Sequence, residues 1–287
     1  MIIVTGATGQ LGRMTVERLL ERIPAEQLGV SVRDPQKAQH FQAKGVRVRK
    51  GDFNDADSLA YAFEGATQVL IVSSDTFGEA SVRLHRTAID AAKKAGASRI
   101  LYTSHMGSSP SSHFAPMIDH AATEEALQAS GVAYTSLRNG FYTASALMML
   151  GNALSTGELA APEDGPVSWT AHPDLAEAAA IALTEQRLDG LSPGLTATEA
   201  IDLAGIAAIA SELTGRPIRR VIVSDDTYRD TLISHGVPEA QANMLLGIFH
   251  ASREGEFAGI DPTLSELLGR SPLSVRDALK ASIDAAK

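Results

Sequence analysis

The chain has 287 residues, of which 44% are hydrophobic and 21% are charged, and its formal net charge at pH 7 is −9. This length suits one large α/β domain or one domain with a smaller lobe. The acidic balance argues against a broad nucleic-acid or anionic-membrane surface, and the absence of cysteine excludes disulfides, thiolate catalysis and cysteine–metal sites.

The first predicted strand, residues 2–4, leads into a glycine-rich turn and then a helix that includes residues 14–20. The turn has the spacing G-x-x-G-x-x-G and resembles the turn of the short-chain dehydrogenase/reductase superfamily. Glycines let a pyrophosphate approach the backbone, and the helix N-terminus supplies N–H groups and a positive dipole. In this strand–turn–helix context the motif predicts a dinucleotide site rather than an ordinary tight turn. The predicted contacts are Gly6, Thr8, Gly9, Gln10, Leu11 and Gly12.

A second strand is predicted over residues 27–33 and ends at Arg33, which is followed by Asp34. The end of this strand lies near the ribose of a bound dinucleotide, where an acidic residue favours NAD and an arginine accommodates the 2′-phosphate of NADP. A guanidinium matches a phosphate in charge and in fork geometry. Arg33 therefore favours NADPH over NADH, although Asp34 leaves NAD open and Arg33 could instead be a solvated surface residue.

The third and fourth strands are predicted over residues 45–52 and 69–74. Asp52 can accept the adenine amino group and Phe53 can lie against the ring, or else Asp52 merely caps the next helix. The fourth strand is uniformly apolar, as in a central parallel strand. Ser73 and Ser74 end it, where ligands bind in open α/β sheets. These serines could contact the pyrophosphate or the nicotinamide ribose, or they could simply begin the loop.

A fifth strand, residues 99–104, follows a long helix and ends at Thr103 and Ser104, where a reductase of this type holds its catalytic hydroxyl. The serine-rich loop after it, residues 105–116, is long enough to be functional and could cover the nicotinamide. Its histidines, His105 and His113, are expected to be solvated, although either could protonate a product.

Repeated strand–helix units predict an α/β fold, a Rossmann-like doubly wound parallel sheet. A helix over residues 117–130 and a strand over residues 132–137 complete the repeats. We expect residues 1–150 to form the NAD(P)-binding domain and residues 151–287 to form a smaller, mostly helical, substrate-facing lobe that is partly woven back onto the sheet. In this lobe we predict a helix from about residue 168, with Thr170 or Asp174 as its cap.

The tyrosine–lysine pair of the usual short-chain mechanism is absent. Tyr102 lies in the fifth strand and Met106 stands four residues later, while the helix over residues 117–130 contains neither tyrosine nor lysine.

The sequence resembles the NmrA-like, atypical short-chain dehydrogenases/reductases. It does so in the missing tyrosine–lysine pair, in the glycine turn and in further motifs at residues 32–35, 51–54 and 134–142. Within that family it resembles the bacterial group of type 2 NAD(P)H:quinone oxidoreductase and triphenylmethane reductase. The resemblance implies that the three glycines and Arg33 bind the cofactor and that His120 lies near the position of the missing lysine. It also implies that the exit of the sixth strand frames the nicotinamide and the acceptor pocket.

The missing pair also bears on the acceptor. Reduction of an isolated ketone yields a basic alkoxide that calls for a positioned acid, whereas a quinone or a conjugated dye cation delocalises or neutralises the charge. Such acceptors need chiefly proximity and a flat apolar slot, while NADPH supplies the chemistry. The sequence therefore favours an NADPH-dependent oxidoreductase acting on a quinone-like or other conjugated acceptor. The alternative is an NADP-binding, redox-sensing regulator without turnover.

The candidate catalytic residues are His120, Asn139 and Tyr142. His120 could orient a carboxamide or donate a proton, and Asn139 could hydrogen-bond a quinone oxygen. A satisfied helix histidine and a strand-ending asparagine are the structural alternatives. Further candidates for the walls of the slot, for which core packing is the alternative, are Phe141, Met148, Met149 and Trp169.

The expected partner is a small molecule. No histidine spacing is typical of a metal site, so no metal is predicted, and the acidic charge argues against direct contact with DNA. The N-terminus lacks the pattern of a signal peptide, and no apolar run reaches the ~20 residues of a membrane helix. We therefore expect a cytoplasmic protein. The sequence does not indicate the oligomeric state, and a homodimer is compatible with it.

Overall fold

A seven-stranded parallel sheet organises the computed structural model, which describes residues 1–285. Its strand order is β10-β6-β5-β4-β1-β2-β3. Two further pairs of strands, β8 with β11 and β7 with β9, are also parallel. The strands in chain order are β1 (Ile2–Thr5), β2 (Leu28–Val32), β3 (Arg47–Lys50), β4 (Gln68–Ile71), β5 (Arg99–His105), β6 (Ala133–Asn139), β7 (Phe141–Tyr142), β8 (Glu158–Ala161), β9 (Trp169–Thr170), β10 (Gly194–Leu195) and β11 (Arg219–Ile222).

Helices connect these strands and build the C-terminal part of the chain. Two short 3-10 helices cover Ala25–Gln27 and Pro35–Ala38. The α-helices are α1 (Gln10–Leu20), α2 (Gln39–Gln42), α3 (Ala56–Phe63), α4 (Glu79–Lys94), α5 (Ala115–Ser130), α6 (Thr143–Leu150), α7 (Ala153–Thr156), α8 (His172–Thr184), α9 (Leu203–Thr214), α10 (Asp225–Ser234), α11 (Glu239–Arg253), α12 (Thr263–Leu268) and α13 (Val275–Ala285). None of the helices within residues 1–285 is long and apolar enough to cross a membrane.

The main sheet is covered on both faces, because successive side chains of a strand point to opposite sides. In β1, Val4 belongs to a buried cluster with residues of α1 and α8, whereas Ile3 belongs to a second cluster with residues of α3 and α4. The predicted Rossmann-like, doubly wound fold is therefore confirmed.

The C-terminal part of the chain contributes directly to this architecture. The short strand β10 extends the sheet beside β6, with Leu195 in register with Asn139, and α8 packs on α1. A third buried cluster joins α6, α9 and α11 to Phe141 and Trp169. A division of the chain at residue 150 stays a prediction.

Two local expectations are wrong. Residues 169–170 form β9, and the helix that follows begins at His172 without a side-chain cap. Asp174 lies inside the first turn of that helix, where it is fully buried and pairs with Arg270 at 2.7 Å. The expected loop also begins later than predicted, because β5 continues through His105, which is buried rather than solvated.

Candidate active site

The glycine-rich turn has the geometry of a phosphate cradle. Gly6 has a φ of +61°, which favours glycine, and the Gly9 N–H donates to the Gly6 carbonyl oxygen at 2.9 Å. A Cβ on Gly12 would lie 2.4 Å from that same oxygen. Gly6 is thus required for the turn and Gly12 for the close packing of α1 on it, and the N-terminus of α1 is placed where it would face an anion.

A cavity of about 380 Å³ opens beside this turn at the carboxyl ends of β1, β2 and β4. Most of the residues predicted to bind the cofactor line it, although their roles stay predictions. Those that line it are Gly6, Thr8, Gly9, Arg33, Asp52, Phe53, Ser73 and Ser74. Gln10 starts α1 on the surface, Leu11 is buried in the core, and Gly12 acts through its packing on Gly6.

Arg33 is the cation on the cavity wall. Its side chain is exposed and makes neither an ion pair nor a hydrogen bond within the described part of the chain. Two residues earlier in β2, Ser31 lines the same cavity, and its hydroxyl oxygen is buried without a partner among residues 1–285. An unpaired guanidinium and an unsatisfied hydroxyl beside a phosphate cradle fit a dinucleotide that carries a 2′-phosphate.

Asp52 is also available to the cavity, because it does not cap the next helix. The cap of α3 is Asp55, whose side chain accepts from the Ser58 N–H at 3.1 Å. Asp52 instead accepts from the Asn54 N–H at 2.9 Å and keeps a place on the cavity wall.

The hydroxyls at the end of β5 are directed to protein partners rather than to the cavity. The Thr103 hydroxyl accepts from the Ser73 N–H at 2.8 Å, and Ser104 donates to Glu124 at 2.7 Å. Both residues are buried and neither lines the cavity. Their contact with the cofactor therefore stays a prediction: in the structure Thr103 supports the loop that carries Ser73, and Ser104 belongs to the Glu124 network.

Tyr102 and His120 form a buried pair next to this edge of the sheet. The Tyr102 hydroxyl lies 2.7 Å from His120 Nδ1. Burial raises the pKa of Tyr102, so the phenol stays protonated and is able to donate to Nδ1 of His120. In the tautomer in which the phenol donates, Nδ1 is the acceptor and the ring proton is on Nε2. Burial lowers the pKa of His120 to about 4, so this imidazole is neutral at neutral pH.

The remaining catalytic candidates lie at the carboxyl ends of β5 and β6. His105 is in register with Asn139, and its ring stacks on that of His120 at a centroid distance of 6.2 Å. Tyr142 follows closely in β7 and its ring lies 4.2 Å from that of His172. The fold therefore brings together the candidates His120, Asn139 and Tyr142, which are separated in the sequence.

The buried ring side chains at this edge of the sheet are uncharged, although the ion pair of Arg138 with Glu124 lies beside them. Burial lowers the pKa of His105 to about 3 and also lowers the pKa of His172, and it raises the pKa of Tyr142. Within the described part of the chain, the Oδ1 atom of Asn139 is buried without a partner, as is the Thr143 hydroxyl in the same segment. Such unsatisfied polar atoms are uncommon in protein interiors and fit a polar group of a ligand or a water molecule.

The apolar candidates divide between core and surface. Trp169 is 2% exposed, packs on Phe141 and donates from Nε1 to the Ile201 carbonyl oxygen at 3.0 Å, so it belongs to the core. Phe141 is also buried, whereas Met148 is 76% exposed. His113 is exposed, and its Nδ1 lies 2.6 Å from a carboxylate oxygen of Glu256, which fixes the serine-rich loop to the C-terminal part of the chain.

Sequence reasoning missed two residues of this region. His85 of α4 binds the loop after β4, and the Tyr102 hydroxyl contacts Nδ1 of His120. A polar residue on the apolar face of α4 was a weak signal for His85, and the phenol partner of His120 had no local signal. Within residues 1–285 no group of three histidine, aspartate or glutamate side chains could hold a metal ion.

Known proteins match this chain over almost its full length. A family described as NAD(P)H-binding matches residues 6–185. Quinone oxidoreductase 2 of Escherichia coli K12 is 34% identical over 282 residues, which cover 97% of each chain. The crystal structure of an NADPH-dependent quinone oxidoreductase from Escherichia coli, complexed with NADPH, has a TM-score of 0.94 at 33% identity and covers 99% of this chain and 100% of its own. The Citrobacter sp. triphenylmethane reductase complexed with NADP(H) has a TM-score of 0.91 at 31% identity, with coverages of 98% and 100%.

These similarities agree with the glycine turn, the cavity and the strand order. The chain belongs to the NAD(P)H-binding, NmrA-like family.

Proposed function

We propose that this protein is an NADPH-dependent oxidoreductase that reduces a quinone-like or other conjugated small molecule. The observation that carries the proposal is the cluster of neutral groups at the ends of β5 and β6, next to a cavity that fits the dinucleotide. The names of its relatives support it, since they describe quinone oxidoreductases and a triphenylmethane reductase with NADPH or NADP(H).

NADPH, when bound, supplies the hydride. The residues of the chain bind and orient it. The glycine turn and the N-terminus of α1 would hold the pyrophosphate, and Arg33 would hold the 2′-phosphate. Phe53 and Asp52 would contact the adenine, because they line the same cavity as Arg33.

His120 is suited to orient a carbonyl oxygen rather than to protonate a product. With Tyr102 as the donor to Nδ1, the Nε2–H of His120 is the donor that remains for a ligand, and this tautomer is part of the proposal. Its pKa of about 4 means that almost no imidazolium exists at neutral pH. His120 can therefore hold the nicotinamide carboxamide or an acceptor oxygen by a hydrogen bond. Asn139 and Tyr142 would complete the polar contacts to the acceptor.

None of His120, Asn139 and Tyr142 is suited to act as a general acid, and this restricts the kind of acceptor that the site can reduce. Tyr102 is fully buried and bonded to His120, and burial raises its pKa, so it cannot replace the tyrosine of the usual short-chain mechanism. A conjugated acceptor spreads the added negative charge or loses a positive one, and it can take a proton from water afterwards. An isolated ketone would need the acid that this site lacks.

The test is oxidation of NADPH or NADH by 1,4-benzoquinone, followed with the purified full chain. We expect saturable oxidation above the protein-free rate. Arg33→Ala should lower kcat/KM for NADPH by about tenfold to a hundredfold, since a charge-assisted hydrogen bond contributes ~1.5–3 kcal/mol, and it should leave NADH nearly unaffected.

Arg22→Ala is the matched control, because Arg22 pairs with Glu185 away from the cavity. It should behave as the wild type with both cofactors. Tight NADPH binding without oxidation by benzoquinone or by a cationic triphenylmethane dye would contradict the proposal and favour a redox-sensing regulator instead.

A further inference from the structure

His85 is a histidine of α4 that is only 2% exposed to solvent. Both nitrogens of its ring form hydrogen bonds to neighbouring elements. The Ser74 N–H donates to Nε2 at 2.9 Å, so Nε2 carries no proton. Nδ1 therefore carries the proton and donates to the Thr123 hydroxyl at 3.0 Å. That hydroxyl in turn donates to the Asp119 carbonyl oxygen at 2.8 Å, which completes a chain of bonds from the loop to α5.

The loop that His85 holds, residues 72–78, forms one wall of the cofactor cavity. Its backbone has left the sheet, so its N–H groups need side-chain partners. Val72 N–H donates to the Thr5 hydroxyl at 2.9 Å and Ser73 N–H donates to the Thr103 hydroxyl at 2.8 Å. With the bond to Ser74, these contacts fix the stretch of the loop that lines the cavity.

The ring of His85 also connects this loop with other parts of the site. It meets Phe53, which lines the cavity, in an edge-on contact at a centroid distance of 6.3 Å. On its other side it meets Tyr102 edge-on at 5.3 Å, and the Tyr102 hydroxyl is hydrogen-bonded to His120. A single imidazole thus touches the loop, the aromatic wall of the cavity and the support of His120.

We propose that His85 is a positioning residue for the dinucleotide, acting through the backbone of Ser74. Its Nδ1–H tautomer, selected by Thr123, keeps the loop after β4 in the shape that receives the cofactor. Burial lowers the pKa of His85 to about 3, so the acceptor at Nε2 persists throughout the neutral range. The proposal rests on the proposed function only in taking NADPH as the dinucleotide.

Two substitutions of His85 distinguish the effect of the hydrogen bond to Ser74 from the effect of merely having a polar side chain at position 85. His85→Gln places an amide oxygen near the position of Nε2 and keeps an acceptor for Ser74, whereas His85→Asn reaches only the position of Nδ1. We expect His85→Asn to raise the Kd for NADPH about tenfold, as for the loss of one hydrogen bond of ~1.4 kcal/mol, and His85→Gln to recover most of the affinity. The Kd is measured by calorimetry without any acceptor.

Thr123→Val provides a second variant that leaves His85 in place. It removes the acceptor of the Nδ1–H, so the proton can move to Nε2 and oppose the Ser74 N–H. Thr123 is fully buried and does not line the cavity, yet its variant should also weaken NADPH binding several-fold. His250→Asn is the control, because His250 pairs with Asp225 on the surface, and it should bind NADPH as the wild type does.

Hydrogen exchange of the Ser74 amide, measured without nucleotide, tests the contact itself. It should accelerate in His85→Asn and Thr123→Val and stay slow in His85→Gln. Unchanged exchange in His85→Asn, or a Kd within about twofold of wild type in both His85→Asn and Thr123→Val, would overturn the proposal. If the wild type bound no NADPH, the cofactor assignment would fail, and the exchange measurement would still decide whether His85 fixes the loop.

Discussion

Replacing Tyr102 by phenylalanine would test whether the phenol sets the tautomer of His120. The substitution keeps the ring in its fully buried position and removes only the hydroxyl, which lies 2.7 Å from His120 Nδ1. His120 Nδ1 would then lack its donor, and the proton would no longer be confined to Nε2. If the Nε2–H of His120 holds an oxygen more tightly in the transition state by ~1–2 kcal/mol, losing this donor should lower kcat about fivefold to thirtyfold.

The assay is steady-state oxidation of NADPH by 1,4-benzoquinone, with kcat and the KM for NADPH determined separately. The ¹⁵N chemical shifts of the His120 ring would report the tautomer directly. Tyr61→Phe serves as the matched control, since Tyr61 is 59% exposed on α3, and it should retain the wild-type kcat. A Tyr102→Phe protein with wild-type kcat and an unchanged Nε2–H tautomer would refute the reasoning.

Three further predictions concern other parts of the protein. Gly12→Ala should abolish NADPH binding or folding, because its Cβ would lie 2.4 Å from a backbone oxygen. Gly205→Ala in α9 is the control, because a Cβ there meets only ordinary contacts. It should stabilise the protein by ~0.5–1 kcal/mol in urea titrations. Glu124→Ala removes the carboxylate that Arg138 binds at 2.6 Å and should destabilise the fold by ~3 kcal/mol; an unchanged urea midpoint would contradict this. The folded-state pKa values of about 3 for His105 and about 4 for His120 lie below the ordinary value of 6.5, so the unfolded chain binds more protons between these limits. The free energy of unfolding should therefore be highest above about pH 6.5 and fall as the pH decreases towards 4, by up to ~1.4 kcal/mol per pH unit for each histidine. Over pH 7 to 9 kcat should stay nearly constant. A free energy of unfolding that does not change from pH 7 to 4 would argue against neutral buried rings.

The glycine turn and the succession of strands and helices along the chain could be predicted because both are local properties. The spacing of Gly6, Gly9 and Gly12 is readable within one turn, and each glycine has a steric reason in the structure. Apolar runs such as β4 follow from burial on both faces of a parallel sheet. Arg33 was found for the same reason, since the end of β2 lies at a fixed place relative to the glycine turn.

The limits of local patterns show at residues 105 and 169. His105 stands at the start of a serine-rich stretch, but pairing with β6 extends β5 through it and buries it. Trp169 is an aromatic residue of the kind that often lines a ligand pocket, but packing against Phe141 makes it part of the core. A local sequence pattern does not reveal which distant strand or ring a residue will meet.

The sequence by itself determined the fold class, the family and the cofactor cradle, because strand periodicity, glycine spacing and strand–turn–helix order are carried by neighbouring residues. Only the tertiary structure decided the chemistry at the edge of the sheet. The bonds of His85 to Ser74 and of Tyr102 to His120 join residues that different elements carry. Protonation follows from burial and from hydrogen-bond partners, and both are properties of the packed chain.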